Sequence, residues 1–127
     1  MNLIDSSGWL QFFMNGQLAE RYESYLEKFG EVLTPTIVLY EVYKRLKAEL
    51  NEQQALWAAV QMERTNIVAL TPAIAYHAAD LALEHKLAMA DAIVYSTADV
   101  HDAKLITSDK DFKDLPKVLY INPEEEF

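Results

Sequence analysis

Five short apolar runs punctuate the chain: "NLI" at 2–4, "EVLTP" at 31–35, "NIVAL" at 66–70, "KLIT" at 104–107 and "KVLYI" at 117–121. Helix-length stretches separate the first four, and a shorter segment with a turn at "SDKDF" divides the last pair. Apolar spacing predicts helices from about Trp9, over 17–29, 35–50, 52–64, 72–85 and 90–101. Short strands alternating with helices predict an α/β domain, with a mostly parallel central sheet flanked by helices. Thr34 with Pro35, and Thr71 with Pro72, each read as a cap followed by proline at the first helical position. Val38, Val42, Leu46 and Leu50 form one apolar stripe. Trp9, Phe12, Phe13, Leu56, Trp57 and Val60 lie at helical spacing and read as core.

At 127 residues the chain suits one domain, expected over 1–121, followed by a short acidic tail at 122–127 that should fray. No apolar run approaches the roughly 20 residues of a membrane span. The opening "MNLIDSSGWLQFF" has neither a basic leader nor a small-residue cleavage site, so no signal peptide is expected. The chain has no cysteine, which excludes disulfides and thiolate metal sites and fits a reducing cytoplasm. Its formal charge of −9 argues against broad nucleic-acid binding, which needs a basic face. Two uses of the acids remain open: a metal site, or attraction of a basic partner.

Position sorts the acids. In parallel α/β sheets functional groups gather beyond the carboxyl ends of the strands. Asp5 directly follows the first run and Asp109 follows the fourth. Asp102 precedes that fourth run, which puts it at the opposite edge. Asp91 opens the apolar helix "MADAIVYSTADV", where an acid also suits the helix start. Asp99 lies about 12 Å further along the same helix. Glu41 interrupts "TIVLYEVYKRL" at the edge of its apolar stripe, and the plain alternative is an i,i+4 pair with Arg45. Carboxylates converging in one pocket repel, and a divalent cation relieves that repulsion. All-oxygen ligands select Mg²⁺ or Mn²⁺, and such a site serves phosphoryl transfer.

Together, "LIDSS", Glu41 after "LTPTIVLYE", "MADAIVYSTA" and "LITSDKDF" resemble a PIN-domain ribonuclease, nearest to the VapC-like toxins of type II toxin–antitoxin pairs. Order and spacing fit over essentially the whole chain. The resemblance implies a PIN-like three-layer fold and a Mg²⁺- or Mn²⁺-dependent endoribonuclease. It also implies an acidic quartet: Asp5 and Asp91 as metal ligands, Glu41 completing the metal site directly or through water, and Asp109 as the fourth acid. Asp111 matches a position more often structural or supporting the ligands and ranks below Asp109, and Ser7 and Thr107 match hydroxyls that orient the acids or the attacking water. A small antitoxin partner and a homodimer are implied as well. For the RNA, Lys44, Arg45 and Lys47, with Lys110 and Lys113, could supply a basic rim; a solvated helix face is the plainer reading of the same residues.

Other readings fit less well. His77, His85 and His101 lack metal-ligand spacing, and Gly8, Gly16 and Gly30 form no phosphate-binding loop. A receiver domain would need paired acids after the first strand and an acid after the third; a haloacid-dehalogenase-like phosphatase would need Asp-x-Asp where this chain has "DSS". The remaining alternative is a catalytically silent PIN-like module that acts by forming a complex with an antitoxin.

Overall fold

The structure is a computed structural model that describes residues 1–124. The elements run β1 (Asn2–Ile4), α1 (Ser6–Phe13), α2 (Ala19–Glu23), β2 (Val32–Pro35), α3 (Thr36–Glu49), α4 (Glu52–Met62), β3 (Asn66–Val68), α5 (Pro72–His85), α6 (Met89–Val100), β4 (Lys104–Thr107) and β5 (Val118–Tyr120). The strands form one sheet in the order β3-β2-β1-β4-β5, with every pairing parallel. Helices flank it, as the alternation of apolar runs and helical patterns predicts.

Chain order reverses beside β1: the first crossovers build toward β3, and β4 then returns to pair with β1 through Leu3↔Leu105 and Ile4↔Ile106. The carboxyl ends of β1 and β4 therefore flank the crevice where open α/β sheets place their ligands. Leu3, Ile4, Val32, Leu105 and Ile106 are fully buried, as is the α3 stripe of Val38 and Val42. Among the described residues, no helix is long and apolar enough to cross a membrane.

Several local expectations change. The helix expected from Trp9 starts at Ser6, because the Asp5 carboxylate caps it by accepting from the Gly8 N–H at 3.2 Å. The helix expected over 17–29 is broken. After α2, Tyr25 and Leu26 bond back to the carbonyls of Tyr22 and Glu23, and a short 3-10 turn at Phe29–Glu31 leads into β2. These tighter turns still bury Leu18, Tyr22 and Leu26, so the apolar spacing is satisfied without a continuous helix.

Pro35 ends β2 and is itself the N-cap of α3, and Thr34 caps nothing. Thr34 is fully buried, its hydroxyl 2.6 Å from that of Thr65, which in turn donates to the Met62 carbonyl. The Thr71–Pro72 cap does form, with the Ile74 N–H bonded to the Thr71 hydroxyl at 3.2 Å. Leu50 lies beyond the end of α3 and leaves the stripe. Leu56, Trp57 and Val60 are more than half exposed, because α4 packs through the smaller Ala55 and Ala58 together with Met62. Within the acidic tail, Asn122 accepts from the Glu124 N–H, and residues 125–127 lie outside the described residues.

Candidate active site

Asp5 leaves β1 into the reversal crevice and is 5% exposed. Its Oδ1 accepts from the Ser7 hydroxyl at 2.8 Å and from the Gly8 N–H, and its Oδ2 accepts from the Thr107 hydroxyl at 2.7 Å. Thr107, the last residue of β4, also accepts from the Asp109 N–H at 3.0 Å. One hydroxyl thus joins the ends of two neighbouring strands. Burial is the main cause that raises the Asp5 pKa to about 6; the hydroxyl bonds offset part of it, and Asp109 adds repulsion.

Asp109 bends the chain after β4. Its Oδ1 accepts from the Asp111 N–H at 2.9 Å and caps a short 3-10 turn, Lys110–Phe112. That turn brings the Asp111 carboxylate back beside Asp109. Asp91 arrives from another direction. Helix α6 runs back across the sheet to deliver β4, so its first turn lies over the same carboxyl edge and Asp99 lies toward the far one. The oxygens of Asp91, Asp109 and Asp111 come within 4.8 Å of one another.

Ala88 is the N-cap of α6 and makes no side-chain cap bond, so Asp91 is not occupied in capping its own helix. Its pKa is raised to about 6, by partial burial first and then by the charges of Asp109, Asp111, Glu41 and Asp5. A single carboxylate therefore feels every other acid of the set. Glu41, on α3, is half-buried; burial raises its pKa and a hydrogen bond with Ser6 offsets part of the rise. The expected alternative for Glu41 does not form, because Arg45 pairs with Glu49 at 2.9 Å.

All four acids of the expected quartet thus lie in one electrostatic neighbourhood. Asp111, which the resemblance ranks below Asp109, joins Asp91 and Asp109 in the tightest group. Asp5 is the buried member whose oxygens hydroxyl donors hold in place. The acids set aside lie elsewhere: Asp99 bonds His77 at 2.6 Å, and Asp102 pairs with Lys117. Among the described residues no site acid is in an ion pair with a lysine or arginine.

The donors are all hard oxygens with net negative charge, which fits Mg²⁺ or Mn²⁺ and not a softer ion. A cleft of about 330 Å³ runs from Ser6 and Glu41 past Tyr40, Lys44 and Arg45. A second, of about 520 Å³, runs from Ser108 and Asp109 past Lys110, Lys113 and Tyr120. Sequence reading missed Tyr22, whose hydroxyl donates to Ser108 at 2.9 Å. No spacing signal could have found it, because Tyr22 stands in an apolar pattern that reads as core.

The PIN domain family matches residues 3–118. A toxin–antitoxin complex from Klebsiella pneumoniae is similar to the chain at 28% identity and a TM-score of 0.78, covering 99% of this chain and 100% of that one. VapC20 of Mycobacterium tuberculosis, a sarcin–ricin loop cleaving toxin, is similar at 16% identity and a TM-score of 0.74, covering 88% and 92%. VapBC2 from Rickettsia felis, bound to a DNA fragment from its promoter, is similar at 16% identity and 0.73, covering 94% and 96%. Comparison with curated proteins gives no match.

Proposed function

The chain belongs to the PIN domain family, whose VapC-like members are nucleases, and from that premise we propose that it is a Mg²⁺- or Mn²⁺-dependent endoribonuclease, the toxin of a toxin–antitoxin pair. The observation that carries this reading is the meeting of Asp91, Asp109 and Asp111 beside Asp5 and Glu41, at the reversal point of the sheet. When bound, the divalent ion supplies positive charge that acidifies water and offsets charge on the phosphoryl group.

The chain's own residues supply the rest. Asp91, Asp109 and Asp111 hold the ion, and Glu41 adds a carboxylate at the mouth of one cleft. Ser7 and Thr107 fix the Asp5 carboxylate. Lys44, Arg45 and Lys110 stand along the two clefts that lead away from the acids, where cationic groups suit RNA phosphates on either side of the cut. The similarity to toxin–antitoxin complexes supports a small antitoxin as partner, and the acidic centre would attract a cationic side chain from it. The reading extends to a homodimer, which light scattering in solution tests.

Purified protein should cleave a structured RNA pool in Mg²⁺ or Mn²⁺ and not in EDTA. Asp5→Asn and Asp91→Asn should abolish cleavage, and Asp99→Asn should retain it. Equal loss in Asp99→Asn overturns the site. Absence of cleavage by folded wild type, with antitoxin binding intact, favours a binding module instead.

A further inference from the structure

Tyr22 is a fully buried residue of α2, a helix of five residues that carries none of the five site acids. An aromatic ring alone would fill its space against Ile4 and Gly8, yet this ring ends in a hydroxyl that must find a partner. The partner is the Ser108 hydroxyl, 86 positions away in sequence. Arg21, next in the chain, donates to the main-chain oxygen of Asn122 at 2.9 Å. Two consecutive residues of α2 thus fasten the segments that leave β4 and β5.

Ser108 stands between Thr107, which bonds Asp5, and Asp109, which turns the chain toward Asp111. Ser7 is the other hydroxyl donor to Asp5. The phenol bonds none of the carboxylates, but its partner Ser108 is the chain neighbour of both Thr107 and Asp109. We propose that Tyr22 is a positioning residue: through Ser108 its hydroxyl sets the Ser108–Asp111 loop so that Asp109 and Asp111 meet Asp91. This rests on the reading of those acids as a divalent-cation site. Residues that orient ligands contribute to metal affinity without touching the ion.

The test is Mn²⁺ affinity of the full-length protein, read by electron paramagnetic resonance in the absence of RNA. Tyr22→Phe keeps the ring and removes the hydroxyl. Ser108→Ala removes the other half of the bond from the loop side and serves if the first variant folds poorly. Each should weaken Mn²⁺ binding by about 10-fold. The double variant should be no weaker than either single one, since both remove the same bond. Cleavage by Tyr22→Phe should recover as Mn²⁺ is raised. Unchanged affinity in folded Tyr22→Phe, or additive losses in the double variant, overturns the proposal while leaving the metal site intact. Wild type that binds no Mn²⁺ overturns the metal reading itself, and the proposal with it.

Discussion

Asp5 holds three hydrogen-bond donors in a setting that water scarcely reaches. Burial outweighs those bonds, and its pKa rises from 3.8 to about 6. The folded protein therefore binds more protons than the unfolded chain between those values. The stabilisation is fully present below pH 4 and is lost as pH rises through 6. Asp91 acts in the same direction. Metal-free protein should lose stability from pH 4 to pH 7, and Asp5→Asn should flatten that decline. At pH 7 in EDTA the variant should be more stable than wild type by up to about 3 kcal/mol, measured by urea unfolding. Identical pH slopes for the two proteins would show that Asp5 is not a strained, buried carboxylate. The wild-type penalty is what a divalent cation would relieve.

The site depends on how elements approach one another, and α1 meets α2 closely at Gly8. A Cβ on Gly8 would lie 2.4 Å from Tyr22 Cε1 and 2.7 Å from Ile4 Cγ2. Tyr22 cannot retreat without leaving Ser108. Gly8→Ala should cost about 2 kcal/mol of stability, as overpacking does, whereas Gly30→Ala, with nothing near its Cβ, should stay within about 0.5 kcal/mol. Thermal unfolding of both variants checks the contrast, and equal midpoints would mean that α1 and α2 are loosely packed. Elements also differ in how plainly the sequence announces them. The strand after Met1 and the capped start of α5 were legible because a short apolar run and a Thr-Pro pair carry their own chemistry. The same Thr-Pro pair at 34–35 misled, because Thr34 finds a better partner in Thr65 on the far side of a helix pair. Trp57 misled likewise: helical spacing shows which residues share a face, not which face is covered.

For the molecule as a whole, a formal charge of −9 is unevenly placed. Five carboxylates meet at one edge of the sheet, and lysines line the two clefts beside them. An ion that binds only the folded state raises stability by mass action, about 2.7 kcal/mol at 100 times its dissociation constant. Mg²⁺ or Mn²⁺ should therefore raise the melting temperature of wild type, and the rise should vanish in Asp91→Asn. Calorimetry with Ca²⁺-free buffers reads this directly, and an unchanged melting temperature in saturating Mn²⁺ would count against the site.

What the sequence determined by itself is local or periodic: parallel α/β architecture from alternating patterns, and Asp5 and Asp109 at strand ends from their place after apolar runs. The place of Asp91 needed the tertiary structure, because it depends on which edge of the sheet α6 starts from. The promotion of Asp111 beside Asp91 and Asp109 depends on a three-residue turn whose geometry no spacing rule specifies. Tyr22 is the extreme case. Its chemistry lies in one hydrogen bond to a residue 86 positions away, and only the packed fold brings the two together.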